Sequence, residues 1–96
     1  MTEVRQTEEF AEWLRRLRDS QARSRIELRI DRLQLGLAGD AKPVGEGVWE
    51  LRVKYGPGYR VYFVRRGPEL IILLAGGDKR TQSRDIEKAV DISKSL

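Results

Sequence analysis

Six residues in the second half of the chain carry side chains suited to chemistry on a polyanion: Arg52, Lys54, Arg60, Tyr62, Lys79 and Arg80. Arginine offers a planar fork of donors to phosphate and lysine a compact point charge, so such a group can bind phosphate. The chain has no histidine, which removes the commonest general acid and base and the commonest metal ligand together. Cysteine is also absent, so no thiol is available as nucleophile or disulfide partner. Carboxylates are the only candidate metal ligands, no Cys/His spacing suggests zinc, and no cofactor is expected.

The residues from Val48 to Arg80 must position these groups. Their alternation predicts three consecutive antiparallel strands and a basic exit loop, with an apolar face and a face carrying Arg52, Lys54, Arg60 and Tyr62. Gly56, Pro57 and Gly58 punctuate the run and predict a reversal there. Pairing symmetric about Pro57 sets Leu51 opposite Phe63 and Val53 opposite Val61 on the core side. On the other side it sets Arg52 opposite Tyr62 and Lys54 opposite Arg60. Like charges directly opposite cost a few tenths to about 1 kcal/mol, which folding alone does not ask for. A polyanion bridging Lys54 and Arg60 turns that repulsion into attraction; solvated side chains splaying apart are the plainer alternative.

Ninety-six residues make one domain, spanning 1–96, with a single two-layer core. Charged residues are 35% of the chain and hydrophobic ones 40%, the balance of a folded protein. A net charge of +4 and a pI near 9.8 fit an acidic partner such as nucleic acid. The longest apolar run, Leu70 to Ala75, is far too short to span a bilayer, so a cytoplasmic protein with no membrane partner is expected.

Glu3 to Gln6 suits an edge strand, and Thr7 can cap a first helix with Glu8 and Glu9 in its opening turn. Phe10, Trp13, Leu14 and Leu17 recur at the spacing of one apolar helical stripe. Ser20 is the expected cap of a second helix carrying Ala22, Ile26, Ile30, Leu33 and Leu37, which makes a helical hairpin ended by Gly36. Leu28 and Leu35 fall off its stripe, either simply exposed or as docking points. The many arginines here, among them Arg15, Arg25, Arg29 and Arg32, are interleaved with acids and read as a solvated face. Gly39 to Gly47 reads as a polar loop, Leu70 to Ala75 as a central strand, and Gly76 and Gly77 as a sharp turn that sets Lys79 and Arg80 at its end. Thr81 or Ser83 then starts a last helix with Ile86, Ala89 and Val90 on its apolar side.

With the order of elements in place, the sequence resembles the RelE/ParE toxin superfamily, and within it the HigB-like, phage-derived addiction-module killer proteins. The residues that carry the likeness are Trp49-Glu50-Leu51-Arg52, then GPGYRVYF from Gly56 to Phe63, then LLAGGDK from Leu73 to Lys79 followed by Gln82, Asp85, Ile86 and Ala89. The resemblance implies a toxin of a type II toxin-antitoxin system: a ribosome-dependent endoribonuclease that cuts translated mRNA. Its partners would be the ribosome, mRNA and a cognate antitoxin protein.

RNA supplies its own nucleophile, the 2'-hydroxyl, so such a protein takes a proton, stabilises charge on phosphorus and protonates the leaving oxygen, without needing a metal. By the resemblance, Arg60 matches the arginine of the family's GYR motif and stabilises phosphate. Arg80, with Lys79 beside it, matches a second catalytic arginine after the last strand. Arg52 and Lys54 fall where the family has basic residues on the preceding strand, Lys54 being the candidate base and Tyr62 an alternative proton carrier. Ile86 stands where well-known ribonuclease members have a tyrosine, so that residue's roles do not transfer. ParE-like relatives, which inhibit DNA gyrase and cleave no RNA, are the alternative, and a degenerate toxin that only binds partners is a third.

The expected architecture is α+β, β-α-α-β-β-β-α: a twisted antiparallel sheet with the helical hairpin on one face, a cationic catalytic face on the other and a C-terminal helix.

Overall fold

A computed structural model describes residues 2–96. The elements are β1 (Glu3–Gln6), α1 (Glu8–Arg16), α2 (Ser20–Gln34), β2 (Ala41–Gly45), β3 (Val48–Val53), β4 (Tyr59–Arg66), β5 (Leu70–Asp78), a 3-10 turn (Lys79–Thr81) and α3 (Gln82–Lys94). The strands form one sheet in the order β1-β5-β4-β3-β2. β1 lies parallel to β5 and the other neighbours are antiparallel. The α+β architecture agrees with the sequence reading, with one strand more.

The helices start and stop for local reasons. Thr7 Oγ1 accepts from Phe10 N at 3.2 Å, capping α1, and lies 3.0 and 2.9 Å from the carbonyls of Leu73 and Leu74 in β5. The cap of α2 is Asp19, not Ser20: its Oδ1 accepts from Gln21 N and Ala22 N, and Ser20 becomes the first helical residue. At the far end Gly36 takes φ 80°, while Gly36 N and Leu37 N return to the carbonyls of Leu33 and Arg32, a Schellman closure. Leu37 therefore lies beyond the helix and is exposed, not part of the apolar stripe.

The segment expected to be a polar loop contains β2. Pro43 is tolerated because β2 is an edge strand, where a missing donor breaks no ladder bond. The register slips between Pro43 and Gly45, and a turn with Glu46 at φ 51° leads into β3.

Both faces of the sheet are covered. Phe10, Ile26 and Leu33 of the hairpin pack against Leu51, Val53, Val61, Phe63, Ile71 and Leu73. On the opposite face, Val48, Tyr62, Val64, Leu74 and Ala75 form a second core with Ala89 of α3, flanked by Ile86 and Val90. The expected open cationic face is thus largely roofed by α3, and its polar residues gather at one end.

Gly76 and Gly77 do not turn the chain; β5 runs through both. Their role is close approach. A methyl group at Gly76 would overlap the Trp13 ring, and one at Gly77 the Asp85 carboxylate. Trp13 sits in that space with Phe10 at 5.7 Å and Tyr59 at 6.2 Å between ring centroids. Among the described residues no helix is long and apolar enough to cross a membrane.

Candidate functional site

The hairpin of β3 and β4 reverses one residue earlier than symmetry about Pro57 requires. Gly56 and Gly58 both adopt left-handed backbone, at φ 56° and 82°, and Gly58 N donates to Tyr55 O at 3.1 Å. The partners therefore shift while the faces are kept: Leu51 pairs with Val61, Val53 with Tyr59, Arg52 with Arg60 and Glu50 with Tyr62. The predicted opposition of Lys54 and Arg60 is replaced by that of Arg52 and Arg60.

Glu50, which the sequence reading did not single out, is the centre of this arrangement. It is completely buried. Its Oε1 accepts from Arg52 Nε at 3.1 Å, and its Oε2 accepts from Tyr62 Oη at 3.0 Å and from Gln82 Nε2 at 2.8 Å. Arg60 Nε lies 3.5 Å from the same Oε2, an ion pair without a well-formed hydrogen bond. Burial works to raise the Glu50 pKa, but donors from Gln82, Arg52 and Tyr62 and the charge of Arg60 outweigh it, leaving the pKa below the usual carboxylate range. The available signal was positional. Glu50 shares the alternation of Arg52 and is the acid on that face of β3.

Tyr62 is fully buried, and its hydroxyl is spent on Glu50. Burial first, then the charge and hydrogen bond of Glu50, raise its pKa above the ordinary phenol value, so the hydroxyl keeps its proton. Arg60 is nearly buried, and its Nη1 donates to Gly58 O at 2.9 Å. Gly58 lies between Arg60 and Lys79: a methyl built on it would stand 3.5 Å from Arg60 Nη1 and 3.6 Å from Lys79 Cβ. β4 pairs with β5 as Arg60 with Gly77, which brings the 3-10 turn to the same end of the sheet.

Asp78 caps that turn by accepting from Arg80 N at 2.8 Å, and pairs with the Arg80 side chain at 3.1 Å. The Arg80 hydrogen bond prevails over burial and holds the Asp78 carboxyl below its ordinary pKa. The Arg80 side chain is 80% exposed. It lines an open groove with Lys79, Thr81, Gln82, Ser83 and Arg84. Asp85, buried against Gly77, accepts from the Thr81 hydroxyl and ties α3 to the turn.

The structure thus brings Arg52, Arg60, Lys79 and Arg80 to one end of the sheet and leaves Lys54 aside. Lys54 is 87% exposed, with its Nζ 3.9 Å from Asp40 Oδ2, at the mouth of a groove between α2 and β3. Among the described residues no three acidic side chains are gathered as metal ligands. The arrangement can bind an anion between the buried Arg60 and half-buried Arg52 on one side and the exposed Lys79 and Arg80 on the other.

A family model described as phage-derived protein Gp49-like (DUF891) matches residues 12–94. The chain belongs to this Gp49-like family. A relative, an uncharacterised protein of Haemophilus influenzae, is 44% identical over 94 residues, covering 98% of this chain and 95% of its own. In structure, this Gp49-like protein is similar to the E. coli toxin RelE, solved in the free state as a double arginine-to-alanine mutant. The TM-score is 0.68 at 13% identity, over 88% of this chain and 94% of that one. The shared feature is the RelE-like fold.

Proposed function

We propose that this Gp49-like protein is the HigB-like toxin of a type II toxin-antitoxin pair, a ribosome-dependent endoribonuclease that acts on translated mRNA in the cytoplasm and is neutralised by a cognate antitoxin. The observation that carries the reading is the convergence of Arg52, Arg60, Lys79 and Arg80 at one end of a RelE-like sheet. Four cations there match a phosphate chain and the extra negative charge of a pentacoordinate phosphorus. Arg60 and Arg52 are the fixed clamps, while Lys79 and Arg80 close on the phosphate from the exposed side. Lys54 is the proposed base: its amine is free to leave Asp40 for a phosphate chain lying across Arg52. Tyr62 acts from behind by holding Glu50, and does not touch substrate.

One observation favours the gyrase-inhibitor alternative. Glu50 already neutralises Arg60, the Tyr62 hydroxyl is sealed in the core, and Ile86 supplies no proton, so proton carriers at this end are few. Both readings are tested by inducing the protein in a bacterial host, mapping mRNA 5' ends and assaying plasmid supercoiling in parallel. New cuts within translated messages, lost with Arg80→Ala, support the nuclease. Intact messages with impaired supercoiling replace it with the gyrase reading.

A further inference from the structure

We propose that the outward face of α2 is a docking site for an acidic amphipathic helix of a partner protein. The proposal rests on the toxin reading only for naming that partner as the neutralising protein; its chemistry is read from the side chains.

Leu28 and Leu35 are 48% and 63% exposed and lie one heptad apart. They are not surplus core, because α2 already buries Ala22, Ile26 and Leu33 on its other side. Arg25 and Arg32, also one heptad apart and exposed, flank this stripe toward β3. There they border a groove of about 420 Å³ whose lining holds Arg25, Arg29, Arg32, Lys54, the backbone side of Arg52 and one acid, Asp40; the Arg52 guanidinium itself is paired with Glu50. Arg29 is committed, donating to Arg52 O at 2.6 Å and Ala38 O at 3.1 Å, so it forms part of the wall. Among the described residues neither Arg25 nor Arg32 has an ion-pair partner, and Arg25 lies over the Tyr55 ring at 4.6 Å. The acids of α2, Glu27 and Asp31, line a different cleft, beside β1.

Charge and apolarity together select the occupant. RNA satisfies the arginines and gains nothing from two leucines. A second copy of this chain covers the leucines but brings two more unpaired arginines and no acid to the contact, since Glu27 and Asp31 line the other cleft. A helix with one leucine per heptad and glutamates beside it meets both demands, with its leucines in the spaces between Arg25, Leu28, Arg32 and Leu35.

The test is fluorescence anisotropy on the full chain. The probe is a labelled, alanine-based helical peptide of about three heptads, with one leucine per heptad flanked by glutamates; an isomer of the same composition in scrambled order is the control. Saturable binding is expected, weakened by about tenfold or more in the isomer and in Leu28→Ser/Leu35→Ser. Arg25→Glu/Arg32→Glu is expected to lose the glutamate peptide and to bind its lysine counterpart. Absence of binding, equal binding of peptide and isomer, tighter binding of an oligouridylate, or dimerisation that Leu28→Ser/Leu35→Ser abolishes would each overturn the proposal. This readout is independent of the toxin assays. Peptide binding with no cut messages leaves the docking face standing alone, and cut messages with no peptide binding leave the nuclease without this face.

Discussion

Arg52 and Arg60 stand directly opposite each other on β3 and β4, and one buried carboxylate, Glu50, reaches both. Two like charges at that register are tolerable because the anion lies between them. Removing its charge leaves a nearly buried guanidinium unpaired, at a cost on the order of 3 kcal/mol. Glu50→Gln is therefore expected to lower the midpoint of thermal denaturation by more than about 10 °C, measured by circular dichroism. Glu50→Leu combined with Arg60→Met and Tyr62→Phe, which removes the charged pair together with the buried hydroxyl that donates to Glu50, is expected to recover much of the loss.

The same network sets an acid limit. The Glu50 pKa is lower in the folded chain than in the unfolded one, as is that of Asp78. Their contribution is complete above the unfolded carboxylate value of about 4.3 and is lost as pH falls through the folded values. Urea midpoints measured from pH 7 to pH 3 are expected to fall below about pH 4.5, with a shallower fall in Glu50→Gln. Tyr62 acts on the alkaline side: its pKa is raised, so its stabilising term is present below about pH 10 and is lost above it.

Gly76→Ala is expected to cost about 1–3 kcal/mol by overpacking, because the added methyl overlaps the Trp13 ring. Trp13 then leaves its place beside Phe10 and Tyr59, and its fluorescence shifts to the red. Gly77→Ala displaces the Asp85 carboxylate from Thr81 and is expected to loosen the start of α3, read as faster amide exchange over residues 82–86.

Exposure separates the tests of the proposed catalytic groups. Arg80 and Lys54 project into solvent at 80% and 87%, so Arg80→Ala and Lys54→Ala are expected to reduce growth arrest while leaving the melting temperature within about 2 °C. Arg60→Ala is expected to reduce both, since it strands Glu50 in the core. For Arg60, loss of toxicity is thus informative only beside a melting curve.

The helices were legible because their signals are local: Thr7 before two acids, the Phe10 to Leu17 stripe, Gly36 at the end of α2. The face of each residue in the hairpin was legible too, because alternation survives a change of partner. Partners themselves were not, since they depend on which residues of the Lys54 to Gly58 loop take left-handed backbone. β2 was hidden by Pro43, a residue that argues against a strand until the strand is known to lie at an edge. The cations of the site were visible as residue types. The burial of Arg60 was not, because α3 roofs that face, and roofing is a long-range fact that also concealed the place of Glu50 and Tyr62.

Thr7 and β1 bond to β5, and the hydrogen-bond contact from Thr7 to Leu74 spans 67 residues. β5 also supplies Ile71 and Leu73 to one core and Leu74 and Ala75 to the other. A nascent chain that ends before β5 therefore has a helical hairpin with only the β3 and β4 part of its floor, and a first strand with no neighbour. The order of synthesis thus acts as a safety catch: the cationic end takes shape only once β5 and the turn after it have been made, after every other strand of the sheet.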